Sequence, residues 1–118
     1  MAKESVIKEK SFNFAIRIVD LYKMLCENKE YVISKQLLRS GTSIGANVEE
    51  ANAGHSKKDF IAKMVISSKE ARETKYWIRL LNESKLVNVD LAPYLNDIEE
   101  IIKILTSIVK TSQENNNA

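Results

Sequence analysis

The stretch Leu37–Ala51, with the sequence LLRSGTSIGANVEEA, places the strongest constraint on the fold. At about 100° of rotation per residue it has the pattern of a helix with an apolar face and a separate polar stripe. The apolar face carries Leu37, Gly41, Ile44, Val48 and Ala51. The polar stripe carries Arg39, Ser43, Asn47 and Glu50. Gly41 and Gly45 each cost about 1 kcal/mol relative to Ala in a helix interior, so we expect a neighbouring helix to approach closely there.

The composition favours an all-α domain. The chain has 118 residues, which is a usual size for a single domain. It contains one proline and three glycines, and 29% of its residues are charged. Few turn-forming residues and many charged ones are typical of long helices joined by short turns.

Apolar periodicity and capping residues predict four helices, at about 5–27, 34–53, 57–84 and 91–112. Ser34 and Ser56 are candidate N-caps of the second and third helices. Residues 113–118 are polar, and we expect them to fray. Short turns between the helices predict an antiparallel, up-down-up-down four-helix bundle that occupies residues 1–118 as one domain.

The first helix has two apolar faces. Its first face carries Phe14, Ile18, Leu21 and Leu25 at heptad spacing. Phe12, Ile16 and Val19 lie on nearly the opposite side. The core of a single bundle covers only one of these faces. We therefore expect the face of Phe12, Ile16 and Val19 to form an oligomer interface.

The residues that catalysis requires are scarce. The chain has one histidine, His55, in a turn, and one cysteine, Cys26, on an apolar helix face, and neither has an orienting partner at helical spacing. No Glu precedes a His by three residues, so the motif of carboxylate-bridged di-iron bundles is missing. There is also no glycine-rich phosphate loop. We expect a protein without enzymatic activity, cofactor or bound metal.

The sequence also predicts a cytoplasmic protein. A single cysteine cannot form an internal disulfide, and the charged residues near the N-terminus are incompatible with a secretory signal. No uncharged run approaches the roughly 20 residues that cross a bilayer. We therefore expect no contact with a membrane.

The polar stripe of the second helix allows three interpretations: a solvated face, a buried hydrogen-bond network that fixes helix register, or a ligand site. We favour the network, because an exposed stripe does not need to lie beside glycines. A buried Arg39 requires a carboxylate partner, and Glu70 or Glu73 of the third helix offers one across the hairpin.

Charge is unevenly distributed along the chain. Residues 55–85 hold eight Lys and Arg against four Asp and Glu, whereas residues 86–118 hold two against five. The candidate basic surface consists of Lys57, Lys58, Lys69, Arg72, Lys75 and Arg79. For a monomer, a solvated helix face is the simpler interpretation. Repeated in an oligomer, these cations would present a large positive field to the phosphates of RNA or DNA.

Two segments resemble a known family. Residues 39–51, RSGTSIGANVEEA, resemble the Arg-x-x-x-Ser-Ile-x-x-Asn-Ile-x-Glu-Gly motif of bacterial four-helix-bundle proteins encoded in intervening sequences of 23S ribosomal RNA genes. Val48 and Ala51 stand where that motif usually has Ile and Gly. The third-helix segment at 68–77, SKEARETKYW, and the fourth-helix segment at 102–110, IKILTSIVK, extend the resemblance over nearly the whole chain.

The resemblance implies a homopentamer, related to accessory proteins of diversity-generating retroelements that bind nucleic acid and a reverse transcriptase. The resemblance also implies that the polar residues of the two segments serve packing and assembly. They correspond here to Arg39, Ser43, Asn47, Glu50, Glu70 and Glu73. We therefore expect an oligomeric scaffold that binds nucleic acid through its basic surface. The alternative is a structural or protein-binding oligomer without affinity for nucleic acid.

Overall fold

A computed structural model describes residues 2–117, and these residues form four α-helices without a strand. The helices are α1 (Ala2–Glu27), α2 (Ile33–Asn52), α3 (Lys57–Ser84) and α4 (Ala92–Asn117). They form an elongated body of 49 × 22 × 21 Å. The predicted all-α fold with four helices is confirmed, and the predicted bounds of the third helix match α3 residue for residue.

Each helix packs against the next one in the chain, and α4 also packs against α1. Helices α1 and α2 run in opposite directions. Gly45 of α2 lies beside Ser11 of α1, whereas Gly41 lies beside Ile18, so residue numbers rise along one helix as they fall along the other. The interior is lined by apolar side chains, mainly leucine and isoleucine, from all four helices. Its largest members include Phe14, Ile18, Leu37, Ile44, Met64, Ile78, Leu81 and Ile98.

The two glycines of α2 mark its contact with α1. A Cβ atom at Gly41 would lie 2.9 Å from the side chain of Ile18, and one at Gly45 would lie 3.2 Å from the carbonyl oxygen of Ser11. The close approach expected from the sequence is thus confirmed. The helix–helix contact offsets the low helix propensity of glycine at these positions.

The start of α2 is capped by Glu30 and not, as predicted, by Ser34. The Glu30 carboxylate accepts hydrogen bonds from the backbone N–H groups of Val32 (3.0 Å), Ile33 (3.0 Å) and Ser34 (2.5 Å). The Ser34 hydroxyl is buried and has no hydrogen-bond partner among residues 2–117. A side chain from the preceding turn therefore satisfies the free donors that begin the helix.

Two other helix ends also show capping motifs, and at the C-terminal ends of α1 and α3 a lysine takes the left-handed conformation. Ser56 caps α3 as predicted, since its hydroxyl accepts from the Asp59 N–H at 3.1 Å. At the end of α1, Glu30 N–H donates to Leu25 O and Lys29 N–H donates to Cys26 O, with Lys29 in the left-handed conformation at φ 63°. This is a Schellman motif with lysine where glycine is usual.

The prediction that the fourth helix ends near residue 112 is wrong, because α4 continues to Asn117. Gln113 and Glu114 are good helix formers, and no glycine or proline interrupts the segment. Within residues 2–117, no helix combines the length and hydropathy that crossing a bilayer would require.

Candidate nucleic-acid interface

Two carboxylates from the centre of α3, Glu70 and Glu73, lie on the flank that faces α2. On the flank that faces α2, the Arg39 guanidinium donates through Nη1 to Glu70 Oε2 at 3.1 Å and through Nη2 to Glu73 Oε2. The Glu73 oxygen also accepts from Trp77 Nε1 at 2.9 Å. One arginine of α2 therefore pairs with both carboxylates from the centre of α3, and draws them toward the groove between the two helices.

The prediction that the polar stripe of α2 forms one buried network is corrected by the structure. The Arg39 side chain is 49% exposed in the single chain. Ser43 and Asn47 donate only to carbonyl oxygens one turn earlier in their own helix, and Glu50 pairs with Lys63 at 2.8 Å. The stripe is consequently a set of separate local contacts on a partly solvated face.

Buried hydroxyl groups do form hydrogen bonds between α2 and α3, but they belong to residues closer to the core than the polar stripe. Thr74 Oγ1 and Ser40 Oγ are 2.9 Å apart, and both residues are fully buried. Ser67 Oγ donates to the Ile44 carbonyl oxygen at 2.9 Å. Helical periodicity alone does not predict these bonds. Their signal was the presence of Ser67 and Thr74 in the otherwise apolar repeat of α3.

The flank of α3 that faces α4 and solvent carries the predicted basic surface. Arg72 donates to Thr106 Oγ1 at 3.1 Å, and Lys75 lies 3.9 Å from Glu99. Arg79 pairs with Glu83 one turn later in the same helix. Lys57, Lys58 and Lys69 have no carboxylate partner among residues 2–117. All six cations thus remain accessible or are held only by exposed partners.

The basic surface extends along most of α3, and residues 59–68 separate Lys57 and Lys58 from its other four cations. From Lys57 to Arg79 the helix rises by roughly 33 Å at about 1.5 Å per residue. Glu70 and Glu73 lie toward α2, whereas Glu83 lies among these cations and pairs with Arg79. The cations thus extend over most of the length of α3.

A second cluster of charged residues joins α1 to α4. Lys10 pairs with Glu100 at 2.6 Å, and Arg17 pairs with Asp97 and lies 5.0 Å from the centre of the Tyr94 ring. The hydrogen bond from Lys10 to Glu100, together with the negative charge of that carboxylate, raises the pKa of Lys10. The side chains surround a surface cavity of about 180 Å³. Because each cation in this cluster pairs with a carboxylate, we interpret the cluster as a structural contact between α1 and α4.

The single histidine and the single cysteine lie in different elements of the structure. His55 is exposed in the turn between α2 and α3. Cys26 is half-buried. A hydrogen bond with Cys26 is the main cause that raises the pKa of Tyr22. Across residues 2–117, no group of three or more His, Cys, Asp or Glu side chains is placed to hold a metal ion.

The second apolar face of α1 points to solvent in the single chain. Phe12 is 60% exposed and Ile16 is 50% exposed, and Val19 completes the face one turn further along. The opposite face, with Phe14, Ile18 and Leu21, lies in the core. The structure therefore separates the two faces of α1 as the sequence indicates, and it leaves the first of them uncovered.

Comparison with known proteins assigns the chain to a family. Residues 3–107 match the model of the 23S rRNA-intervening sequence proteins. No curated protein matches the chain significantly. A crystal structure at 1.70 Å resolution, of a protein with unknown function from the S23 ribosomal protein family of Bacteroides thetaiotaomicron VPI-5482, is 52% identical, with a TM-score of 0.87. The alignment covers 92% of this chain and 98% of that one.

Proposed function

This chain belongs to the 23S rRNA-intervening sequence protein family, and from that premise we propose that it is a non-enzymatic, homo-oligomeric scaffold that binds nucleic acid through α3. The observation that carries the proposal is the separation of charge on α3. Arg39 engages Glu70 and Glu73 on one flank, while the cations of the basic surface lie on the other.

Phosphate is the chemical group that fits this surface. A row of lysine and arginine side chains on one helix neutralises backbone phosphates and releases condensed counterions, without reading base sequence. The two cations that have carboxylate partners, Lys75 and Arg79, hold them in exposed pairs. Exposed pairs of this kind contribute little energy, so phosphate can displace the carboxylates at low cost.

Assembly would strengthen the attraction of this surface for nucleic acid. One chain carries a net charge of only +2, which is too small to attract nucleic acid strongly. Association through Phe12, Ile16 and Val19 would repeat the basic surface around a closed ring. The number five for this ring derives from the family resemblance, as does a reverse transcriptase as a candidate protein partner. RNA or DNA in the cytoplasm is the proposed ligand.

The test is a mobility-shift titration with structured RNA and with duplex DNA, from about 50 to 200 mM salt. The variant replaces four cations of the basic surface with glutamine. These are Lys57, Lys58, Lys69 and Arg72. A matched control replaces four exposed lysines elsewhere, which changes the net charge equally. These are Lys23, Lys35, Lys103 and Lys110.

We expect the wild type and the control to bind with an affinity that falls steeply as salt rises. The α3 variant should lose most of its affinity, and its salt slope should decrease by about one for each phosphate contact removed. Equal loss in both variants would mean that only overall charge matters. If the wild type does not bind even at low salt, the alternative of a structural or protein-binding oligomer replaces this proposal.

A further inference from the structure

Tyr76 lies near the C-terminal end of the basic surface, between Lys75 and Arg79, and is 57% exposed. At helical spacing its neighbours on the outer face of α3 are Arg72 one turn before it and Arg79 and Leu80 one turn after it. Lys69 lies two turns before it on the same face. An aromatic ring therefore lies among Lys69, Arg72 and Arg79, at a position where a soluble helix would ordinarily carry another polar residue.

The Tyr76 ring is supported from one side. It packs edge-to-face against Trp77, with the ring centres 5.1 Å apart and the planes at 72°. Trp77 is in turn fixed by its hydrogen bond to Glu73, which Arg39 engages from α2. Beside Tyr76 is a shallow surface cavity of about 150 Å³, which it forms together with Arg79, Leu80 and Glu83. The ring is held in place, and it borders open space beside a cation.

We propose that Tyr76 is a stacking platform for an unpaired base, so that the preferred ligand of the basic surface is nucleic acid with single-stranded segments. This inference rests on the proposed function. Aromatic side chains between cations bind single strands because every base offers a π-face, while the cations follow the phosphates. Arg79 can add a cation–π or stacking contact with the same base. In an intact duplex the bases are already stacked and cannot reach the ring.

The test compares a single-stranded RNA oligonucleotide with a duplex of the same length. Tyr76→Ala should weaken single-strand binding by about 5- to 150-fold and leave duplex binding nearly unchanged, whereas Tyr76→Phe should keep the wild-type affinity. Tyr31→Ala is the matched control, because Tyr31 is equally exposed but lies in the turn before α2, away from the basic surface. Trp77 is the single tryptophan, so its fluorescence should change on single-strand binding in the wild type and not in Tyr76→Ala.

Two results would overturn the inference and leave the proposed function intact. In the first, Tyr76→Ala affects single-stranded and duplex ligands alike, or neither, while the four-cation variant of α3 still loses binding. In the second, Tyr76→Ala lowers the oligomer mass in sedimentation, which would make Tyr76 and Leu80 a contact with another protein chain. Absence of binding to any nucleic acid by the wild type would instead reject the proposed function itself.

Discussion

Gly41 of α2 packs directly against Ile18 of α1: a Cβ atom on Gly41 would lie 2.9 Å from two side-chain carbons of Ile18. Ile18 is fully buried and β-branched, so its γ-carbons cannot swing away as the end of a flexible side chain would. The separation between α1 and α2 is therefore set by the missing side chain of Gly41. Along the same contact, Gly45 meets backbone atoms of Ser11.

Gly41→Ala should destabilise the bundle by about 1–3 kcal/mol, because the added methyl group overpacks the α1–α2 contact. Helix propensity alone predicts the opposite sign, a gain of about 1 kcal/mol, so the direction of the effect separates the two causes. Urea unfolding followed by circular dichroism gives the measurement. Ser43→Ala is the control on the same helix, since Ser43 bonds only to its own helix, and we expect a change within about 0.5 kcal/mol. A stabilised Gly41→Ala variant would contradict the packing argument.

Periodicity was sufficient to predict the four helices and the two faces of α1, because burial repeats every three to four residues and this repeat is visible in the sequence. Periodicity was not sufficient to predict how much of the Arg39 side chain is exposed to solvent. A helical projection gives the direction in which a side chain points, but the exposure depends on how far the neighbouring helix extends over it. Half of the Arg39 side chain consequently remains in solvent, although both predicted carboxylates lie against it.

The cap of α2 was missed for a different reason. Capping rules place a short polar side chain at the first position of the helix, and Ser34 satisfies them in the sequence. Glu30 lies before the helix, and its longer side chain reaches three backbone N–H groups only because the Schellman turn at Lys29 folds the chain back. That geometry depends on a left-handed lysine, which the sequence gives no means to anticipate.

Glu30→Ala should lower the free energy of unfolding by about 1–2 kcal/mol, since three N–H groups at the start of α2 lose their acceptor. Glu30→Gln keeps one acceptor oxygen and should lose about half as much. Glu27→Ala is the control, because Glu27 is an exposed carboxylate at the end of α1 that accepts none of these N–H groups. Thermal and urea denaturation of the three variants provide the comparison, and an Ala variant as stable as the control would show that water caps α2 equally well.

Arg39→Met should cost about 1 kcal/mol in the single chain, because solvent screens a guanidinium that is half-exposed. Replacing Glu70 and Glu73 with glutamine in the same background should recover part of that loss, since no unpaired carboxylate then remains. The double-mutant cycle measures the coupling directly, and we expect a value above about 0.5 kcal/mol. A smaller coupling would mean that the ion pairs are solvated and do not connect α2 to α3.

The assembly is tested through the uncovered face of α1. In a monomer, Phe12, Ile16 and Val19 would expose apolar area that soluble proteins usually cover, so we expect another subunit to bury it. In a ring this contact is heterologous, and closure prevents growth into a filament.

Ile16→Glu places a charge at the centre of this α1 face and should dissociate the oligomer without unfolding the bundle, because Ile16 lies outside the core. Leu86→Glu, at an exposed apolar position in the α3–α4 turn, should leave the mass unchanged. Sedimentation equilibrium at micromolar concentration decides the outcome: a wild-type mass of 13.4 kDa would reject the interface, and a dimer would retain the interface but exclude the pentamer.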